Sequence, residues 1–437
     1  MRSPSAWLVA AAAAFVASIG VIGADVLWAV PLGRLVAHGS LPGSVPFAAA
    51  ASSGWHDVPA AAELVLWASY HGVGGLQGLL VAQVVCAAIG FGGLAAGLRA
   101  ESRAGGVLAV SALVLAGSLP AVVVVSISMF SLALFPLLLW LLERESRTPG
   151  RRLWFAVPLL AVWGNLHGSV LIGWALLACY LLLARLRREP GLALGVLGAS
   201  TVALALTPAL WRTPLYYRGV FESAPARRGT DLWMPLGTGA LDLLLVAVAA
   251  VLVGLALAGG RHFRLWEVVA LAGLAAATVH VWRTGVFFLF LAAYPAARGL
   301  QLRGPRPRLL SVAAAVLAAG ALWGLVRGPR DPGSKGLAAA AARTRRPVLA
   351  TALLAGQVAA DGGRVWIGNP IDAFRPSDQR LYLDWLAGRP AGAPAVTRAR
   401  YVLVAQGSTA ARLAAHDPRL ELVHSDGDAA LYLVRGV

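Results

Sequence analysis

Long apolar stretches recur along this chain, separated by short turns rich in arginine and glycine. They fall at residues 5–24, 76–98, 105–119, 121–142, 153–165, 168–184, 190–207, 239–258, 265–281, 284–298 and 309–326. A helix needs about 20 apolar residues to cross a bilayer. The pattern therefore predicts an all-α polytopic membrane bundle of about eleven transmembrane helices. The runs at 153–165 and 265–281 are short for a full crossing and read as broken helices, which are tolerated where protein surrounds them. The first run follows Arg2 and ends in small residues near Ala24. It is long for a signal-peptide core of about 7–15 residues, so it reads as a retained span.

After Val326 the pattern changes: residues 327–437 hold 15 basic and 9 acidic residues and no long apolar run. Segments 347–351, 363–369, 399–405, 420–425 and 428–434 alternate like strands, and Asp426–Gly427–Asp428 between the last two signals a hairpin. Segments 377–388 and 408–416 read as helices. The chain thus divides into a transmembrane domain, 1–328, and a small C-terminal α/β domain, 329–437. Two long loops interrupt the first, at 25–75 and 208–238. Pieces 31–38 and 58–70 of the first loop are amphipathic, the second with Glu63 among Leu64, Leu66 and Trp67, and suit either the membrane interface or a packed loop helix.

Composition narrows the function classes. The chain is 58% hydrophobic and 13% charged, with a mean hydropathy of +0.72. Soluble domains carry about 25% charged residues. A soluble enzyme, a disordered chain and a disulfide scaffold are excluded. Cys86 and Cys179 both lie in apolar runs. The net charge of +17 would suggest nucleic acid in a soluble protein. Here its position decides. With the N-terminus in the cytoplasm, 16 of the 22 arginines before residue 327 fall in cytoplasmic turns and 6 on the other face. That split is the positive-inside pattern. It predicts a multi-pass protein of the cell membrane, with no nucleic-acid partner and the tail extracytoplasmic. Trp140, Trp154, Trp211, Trp266 and Trp323 sit near span ends, as an aromatic belt would.

Both long loops and the tail fall on the outer face, so chemistry is expected there. Soluble nucleotide sugars are scarce on that side, which favours an activated lipid as donor. Asp25 ends the first span, and an ionisable residue at a span edge is a functional candidate. Asn165 and His167 lie between two spans, flanked by Gly164 and Gly168. Arg283 sits in a tight outer turn; its fork suits a phosphate, or pairing with Asp25, Asp231 or Asp242. Asp57 and Glu63 add carboxylates to the first loop and suit a general base or a metal. The cofactor is unknown from the sequence, with a divalent metal the candidate. No metalloprotease helix, phosphate loop or nucleophile elbow occurs.

The first loop carries Asp25, Trp28, Gly33, Gly39, Pro42, Pro46–Phe47, Gly54–Trp55 and Gly74–Gly75. Trp163–Asn165–His167–Gly168, Asp231–Trp233, Arg283 and the α/β tail follow. In this order the segments resemble a bacterial branch of the GT-C polytopic membrane glycosyltransferases, similar to the polyprenyl- or dolichyl-phosphate-mannose protein mannosyltransferases. The resemblance covers nearly the whole chain. It implies a GT-C-like bundle, catalysis by Asp25 as base, and a lipid-phosphate sugar donor at the outer membrane face, which suits Arg283; Asn165, His167, Asp231, Asp57 and Glu63 complete the substrate-binding candidates. It also implies membrane lipid and a polyprenyl-phosphate-linked sugar as partners, and an extracytoplasmic acceptor in the cell envelope. The chain departs from the family pattern at Ala29–Val30–Pro31, Ser44–Val45, Met129–Phe130 and Gly368–Asn369–Pro370. Those departures support an alternative: a non-catalytic relative, either a transporter of lipid-linked glycans or an assembly scaffold.

Overall fold

A computed structural model of the chain describes residues 3–436 apart from Ser53, Arg261–His262 and Asp331–Pro332. Arg2 and Arg261, both counted in the charge split, and the side chain of Asp231 lie outside the described residues. The chain forms two compact units that interleave in sequence. One comprises Met1–Gly20, Gly75–Leu210 and Gly229–Pro329; the other comprises Val21–Gly74, Trp211–Arg228 and Arg330–Val437.

The first unit is helical, and each of the eleven apolar runs contains a helix. Among the described residues, three of them, Leu76–Leu98, Ala240–Ala258 and Pro307–Arg327, are long and apolar enough by themselves to cross a membrane. Two runs break where the pattern alone predicts continuity. The helix of the first run stops at Ser18, whose hydroxyl donates back to the Phe15 carbonyl (2.7 Å), and a separate helix starts at Ala24 beyond Gly20 and Gly23. Run 121–142 splits into Leu119–Val123, an extended Val124–Val125, and Met129–Arg147. Consecutive valines resist helix, and the Ser126 and Ser128 hydroxyls bond each other (3.0 Å) rather than supporting a ladder.

Small residues set the helix contacts. Helix Pro4–Ser18 packs against Leu76–Leu98 and Pro307–Arg327. A side chain at Gly320 would meet the Phe15 ring, and one at Gly324 would meet Ser18. At Gly90 it would collide with the Leu132 carbonyl. Phe135 fills the space between, 4.8 Å from Phe287 and 6.3 Å from Trp163 by ring centres. Of the five belt tryptophans, Trp266 departs from expectation: it is buried edge-on against Tyr180 at 5.4 Å, because its helix turns that face inward.

The turns at the arginine-rich end carry a buried ionic network. Arg298 grips Glu267 with Nη2, 2.6 Å from both carboxylate oxygens. It also lies 3.6 Å from Glu143 and 3.8 Å from Glu101. Arg264 donates to Glu143 (2.6 Å), and Arg147 pairs with Glu101 (3.2 Å). Three acids meet three arginines, so the cluster is charge-balanced.

The second unit contains a four-stranded sheet in the order Val348–Ala350, Tyr401–Ala405, Ala429–Val434, Leu420–Ser425. The first pair is parallel and the others antiparallel. The expected final hairpin forms, with a register shift between Leu422 and His424. Asp426 shapes its turn by accepting from the Asp428 and Ala429 amides. Segment 363–369, read as a strand, makes only isolated bridges, Val365 with Ala48 and with Val348. Gly363 and Gly368 abut Ala342 and the Trp28 ring, so this stretch serves close packing instead of a ladder. Helices Lys335–Arg343 and Ala352–Ala360 were not signalled by the strand-like patterning. One core joins first-loop Trp28, Phe47 and Trp55 to tail residues Trp366, Phe374, Tyr382 and Trp385.

Candidate active site

In the helical unit, the turn between Ala156–Gly164 and Val170–Tyr180 presents His167 inside a hydroxyl cluster. Nδ1 lies 3.0 Å from the Ser131 hydroxyl and 2.8 Å from that of Ser169. The Ser169 amide donates to the same nitrogen at 3.3 Å. An acceptor Nδ1 places the ring proton on Nε2. Burial first, and then the positive charge of Arg283, push the imidazole pKa down to about 3. His167 is thus neutral and offers one N–H donor. Trp163 donates to the Ser131 hydroxyl (3.0 Å), which lies 2.5 Å from Ser169, so each member fixes the next.

Arg283 occupies a short turn, Trp282–Thr284, and is half-buried. The Trp282 amide donates to the Met234 carbonyl (3.0 Å) and the Leu236 amide to that of Val279 (3.0 Å). These bonds clamp the stretch after the Asp231–Trp233 turn onto the turn that carries Arg283. Asn165 is differently employed. Its amide donates to the Ala161 carbonyl (2.9 Å) and to that of Leu206 (2.6 Å), committing both hydrogens and leaving Oδ1 for a ligand.

In the second unit, helices Ala24–Ala37 and Ala60–Val73 cross closely, because a side chain at Gly33 would collide with the Glu63 carbonyl. Asp25 lies in the first turn of the former helix and is half-buried, where the helix dipole favours its charge. Gly356 lets helix Ala352–Ala360 approach the Ala24 carbonyl and Leu27 beside it.

Asp57 and Glu63 are both about 3% exposed and hydrogen-bond each other. Burial, and then the Asp57 charge, raise Glu63 well above the usual carboxylate range. Asp57 is raised by burial and partly restored by its bond to Glu63. Two adjacent buried carboxylates cannot both ionise cheaply, so the pair holds a proton, residing on Glu63. The Tyr216 phenol is pushed up by burial and then by the field of Asp372, with Asp57 and Glu63 adding to it. Asp372 itself is raised by burial to about 6. Arg212 lies 3.2 Å from the His56 ring.

No protein-family model matches the chain, and no curated protein matches it in sequence. Solved structures do. ArnT from Cupriavidus metallidurans bound to undecaprenyl phosphate superposes with a TM-score of 0.53 at 14% identity, covering 98% of this chain and 95% of that one. The same protein in the apo state gives 0.55 at 14%, covering 96% and 95%. The chain shares the fold of ArnT. Arabinofuranosyltransferase AftD from Mycobacteria (mutant R1389S) gives 0.52 at 16%, covering 99% of this chain and 42% of that one.

On this fold, the residues singled out from sequence divide between the units. Asp25, Asp57 and Glu63 belong to one; Asn165, His167, Asp231 and Arg283 belong to the other. The structure brings Asp57 to Glu63 and Arg283 to His167. Ser131, Ser169, Tyr216 and the buried role of Asp372 are additions. Serine inside an apolar run was the one signal available for Ser131. Among the described residues, no group of three histidine, cysteine or acidic side chains is arranged to hold a metal ion.

Proposed function

We propose that this chain is an integral-membrane glycosyltransferase, moving a sugar from a polyprenyl-phosphate carrier to an acceptor hydroxyl on the extracytoplasmic face. The observation that carries the reading is the end-to-end fold likeness to a transferase structure holding undecaprenyl phosphate. The anomeric carbon leaves the phosphate oxygen and bonds the acceptor oxygen, whose proton passes to Asp25. Asp25 thereby raises the acceptor's nucleophilicity as the transition state forms. Arg283 and the Nε2–H of His167 hold the departing phosphate, where charge builds. Asn165 contributes Oδ1 to sugar hydroxyls, and Asp231 joins this set through the position of its turn. In the first loop, the oxygens of Asp57 and Glu63 that their shared proton leaves open accept from acceptor hydroxyls.

The test uses the full chain in lipid nanodiscs with radiolabelled polyprenyl-phosphate sugars, following transfer of label. Wild type transfers from at least one donor. Asp25→Asn keeps size but removes the base, so transfer falls about a hundred- to ten-thousand-fold. Its thermal unfolding and donor binding stay as in wild type. Arg283→Ala weakens donor binding. Absence of wild-type transfer across a broad donor panel overturns the proposal; full activity in Asp25→Asn moves the base to Asp57.

A further inference from the structure

The turn after helix Met129–Arg147 is a built surface as well as a charged one. Thr148, Pro149, Gly150, Arg151, Arg152 and Phe155 line an open depression of roughly 420 Å³. Buried side chains hold its rim on both sides. The Gly150 amide donates to the Glu145 carboxylate (2.8 Å), while buried Arg185 donates to the Gly150 carbonyl (3.4 Å). Arg185 also takes up Glu189 (3.0 Å), which removes the one exposed acid of the neighbouring turn from competition. Arg151, Arg152, Arg187 and Arg188 are left exposed around these two turns. Trp154 and Phe155, 44% and 68% exposed, follow the arginines directly.

A fixed depression lined by arginine fork donors, with apolar rings at its edge, matches a phosphate attached to an acyl chain. A freely solvated anion would gain nothing from the rings. We infer that this depression binds the phosphate headgroup of an anionic membrane phospholipid, with Arg151 and Arg152 on the phosphate and Phe155 against the chain. The inference requires that the chain sit in a membrane and is independent of sugar transfer.

The test measures binding of fluorescent short-chain phosphatidylglycerol to the full chain in neutral detergent. Phosphatidylglycerol competes; phosphatidylcholine does not, and inorganic phosphate competes only weakly. At about fivefold per arginine, R151Q/R152Q weakens binding about 25-fold. R306Q/R308Q, which removes the same charge from another exposed turn, leaves it unchanged. F155A weakens lipid binding and spares phosphate. Thermal unfolding of each variant reports retention of the fold, since all these side chains are exposed. Equal losses in the two double variants overturn the inference in favour of diffuse attraction. Equal competition by phosphatidylcholine removes headgroup recognition, and phosphate competing as well as lipid reduces the site to a free-anion site.

Discussion

Two buried acidic clusters in this protein follow opposite rules. In the helical unit, Glu101, Glu143 and Glu267 each meet an arginine, and Arg298 touches all three. In the other unit, Asp57 and Glu63 meet each other, and among the described residues neither makes an ion pair with an arginine. Buried atoms without a hydrogen-bond partner occur in both clusters: both Asp57 oxygens and Glu63 Oε2 in one, Glu101 Oε1, Glu143 Oε1 and Arg298 Nη1 in the other. The first arrangement offsets part of its desolvation cost with internal ion pairs. The second has no cation to offset that cost, so its two carboxyls are left to share a proton. One cluster balances its charge without a ligand; the other balances it only with a shared proton or something bound. The difference separates acids that hold the fold from acids available to a substrate, although both are equally buried.

The largest effect should come from breaking the compensated cluster. Arg298→Leu leaves three buried or nearly buried acids to two arginines, with Arg264 alone to serve Glu143 (2.6 Å) and Glu267 (3.6 Å), and removing one partner of a buried pair costs about 3–5 kcal/mol. Thermal unfolding of the purified chain should register the loss, together with reduced accumulation in membranes. The double variant Arg298→Leu/Glu267→Leu should recover much of it, because both charges go together. If the double variant is no better than the single, the network is not a mutually compensating set.

The uncompensated pair should respond in the opposite sense. Glu63 is raised in the folded state by burial and by Asp57. A raised carboxyl contributes stability that is fully present below its ordinary unfolded value and is lost as pH rises through the folded value. Wild type should therefore melt lower as the solution becomes alkaline, above the ordinary glutamate range. Glu63→Gln imitates the protonated form. It should match wild type under acidic conditions, melt above it under alkaline ones, and flatten the dependence of Tm on pH. A variant less stable than wild type throughout would show that the Glu63 charge is paired after all.

These clusters differed greatly in how visible they were beforehand. Long apolar runs locate the bundle helices because a membrane helix must be apolar along its whole length. Breaks at Ser18 and Val124 escape that signal, since hydropathy registers neither a serine bonding backward nor β-branched crowding. In the first loop, Asp57 and Glu63 stand out as acids, but their pairing depends on how the chain turns into helix Ala60–Val73, which spacing alone does not encode. His167 stood out between glycines, whereas Ser131, 36 residues away, meets it only after the helices pack. The Glu143 and Glu267 pairings were hidden for a further reason: arginines in turns announce topology so strongly that their partners are easily passed over. Segment 363–369 looked like a strand because alternation records burial on two faces without specifying a ladder.

The smallest effect lies between these extremes. Arg228 donates to Asp384 at 2.8 Å, and Arg389 reaches the same oxygen at 3.1 Å. Asp384 is held below the ordinary aspartate value mainly by its bond to Arg228, with Arg389 assisting. A depressed carboxylate contributes stability that is present above its unfolded value and is lost as pH falls through the folded one, so this pair should matter at neutral pH and vanish in strong acid. It joins Trp211–Arg228 to helix Pro376–Leu386, as does the bond from the Ala224 amide to Gln379 (2.8 Å). Unlike Arg298, Arg228 is partly solvated, so its pair faces screening and small net gain. A double-mutant cycle with Arg228→Gln and Asp384→Asn should give a coupling of about 0.5–1 kcal/mol by thermal unfolding near neutral pH, shrinking as salt rises. Arg389→Gln in the same background should change the coupling only slightly, since its guanidinium is more exposed than that of Arg228. A coupling as large as that of the Glu267–Arg298 pair would place this contact with the fold-holding network. A coupling of zero would leave Ala224–Gln379 as the bond fixing the loop to the helix.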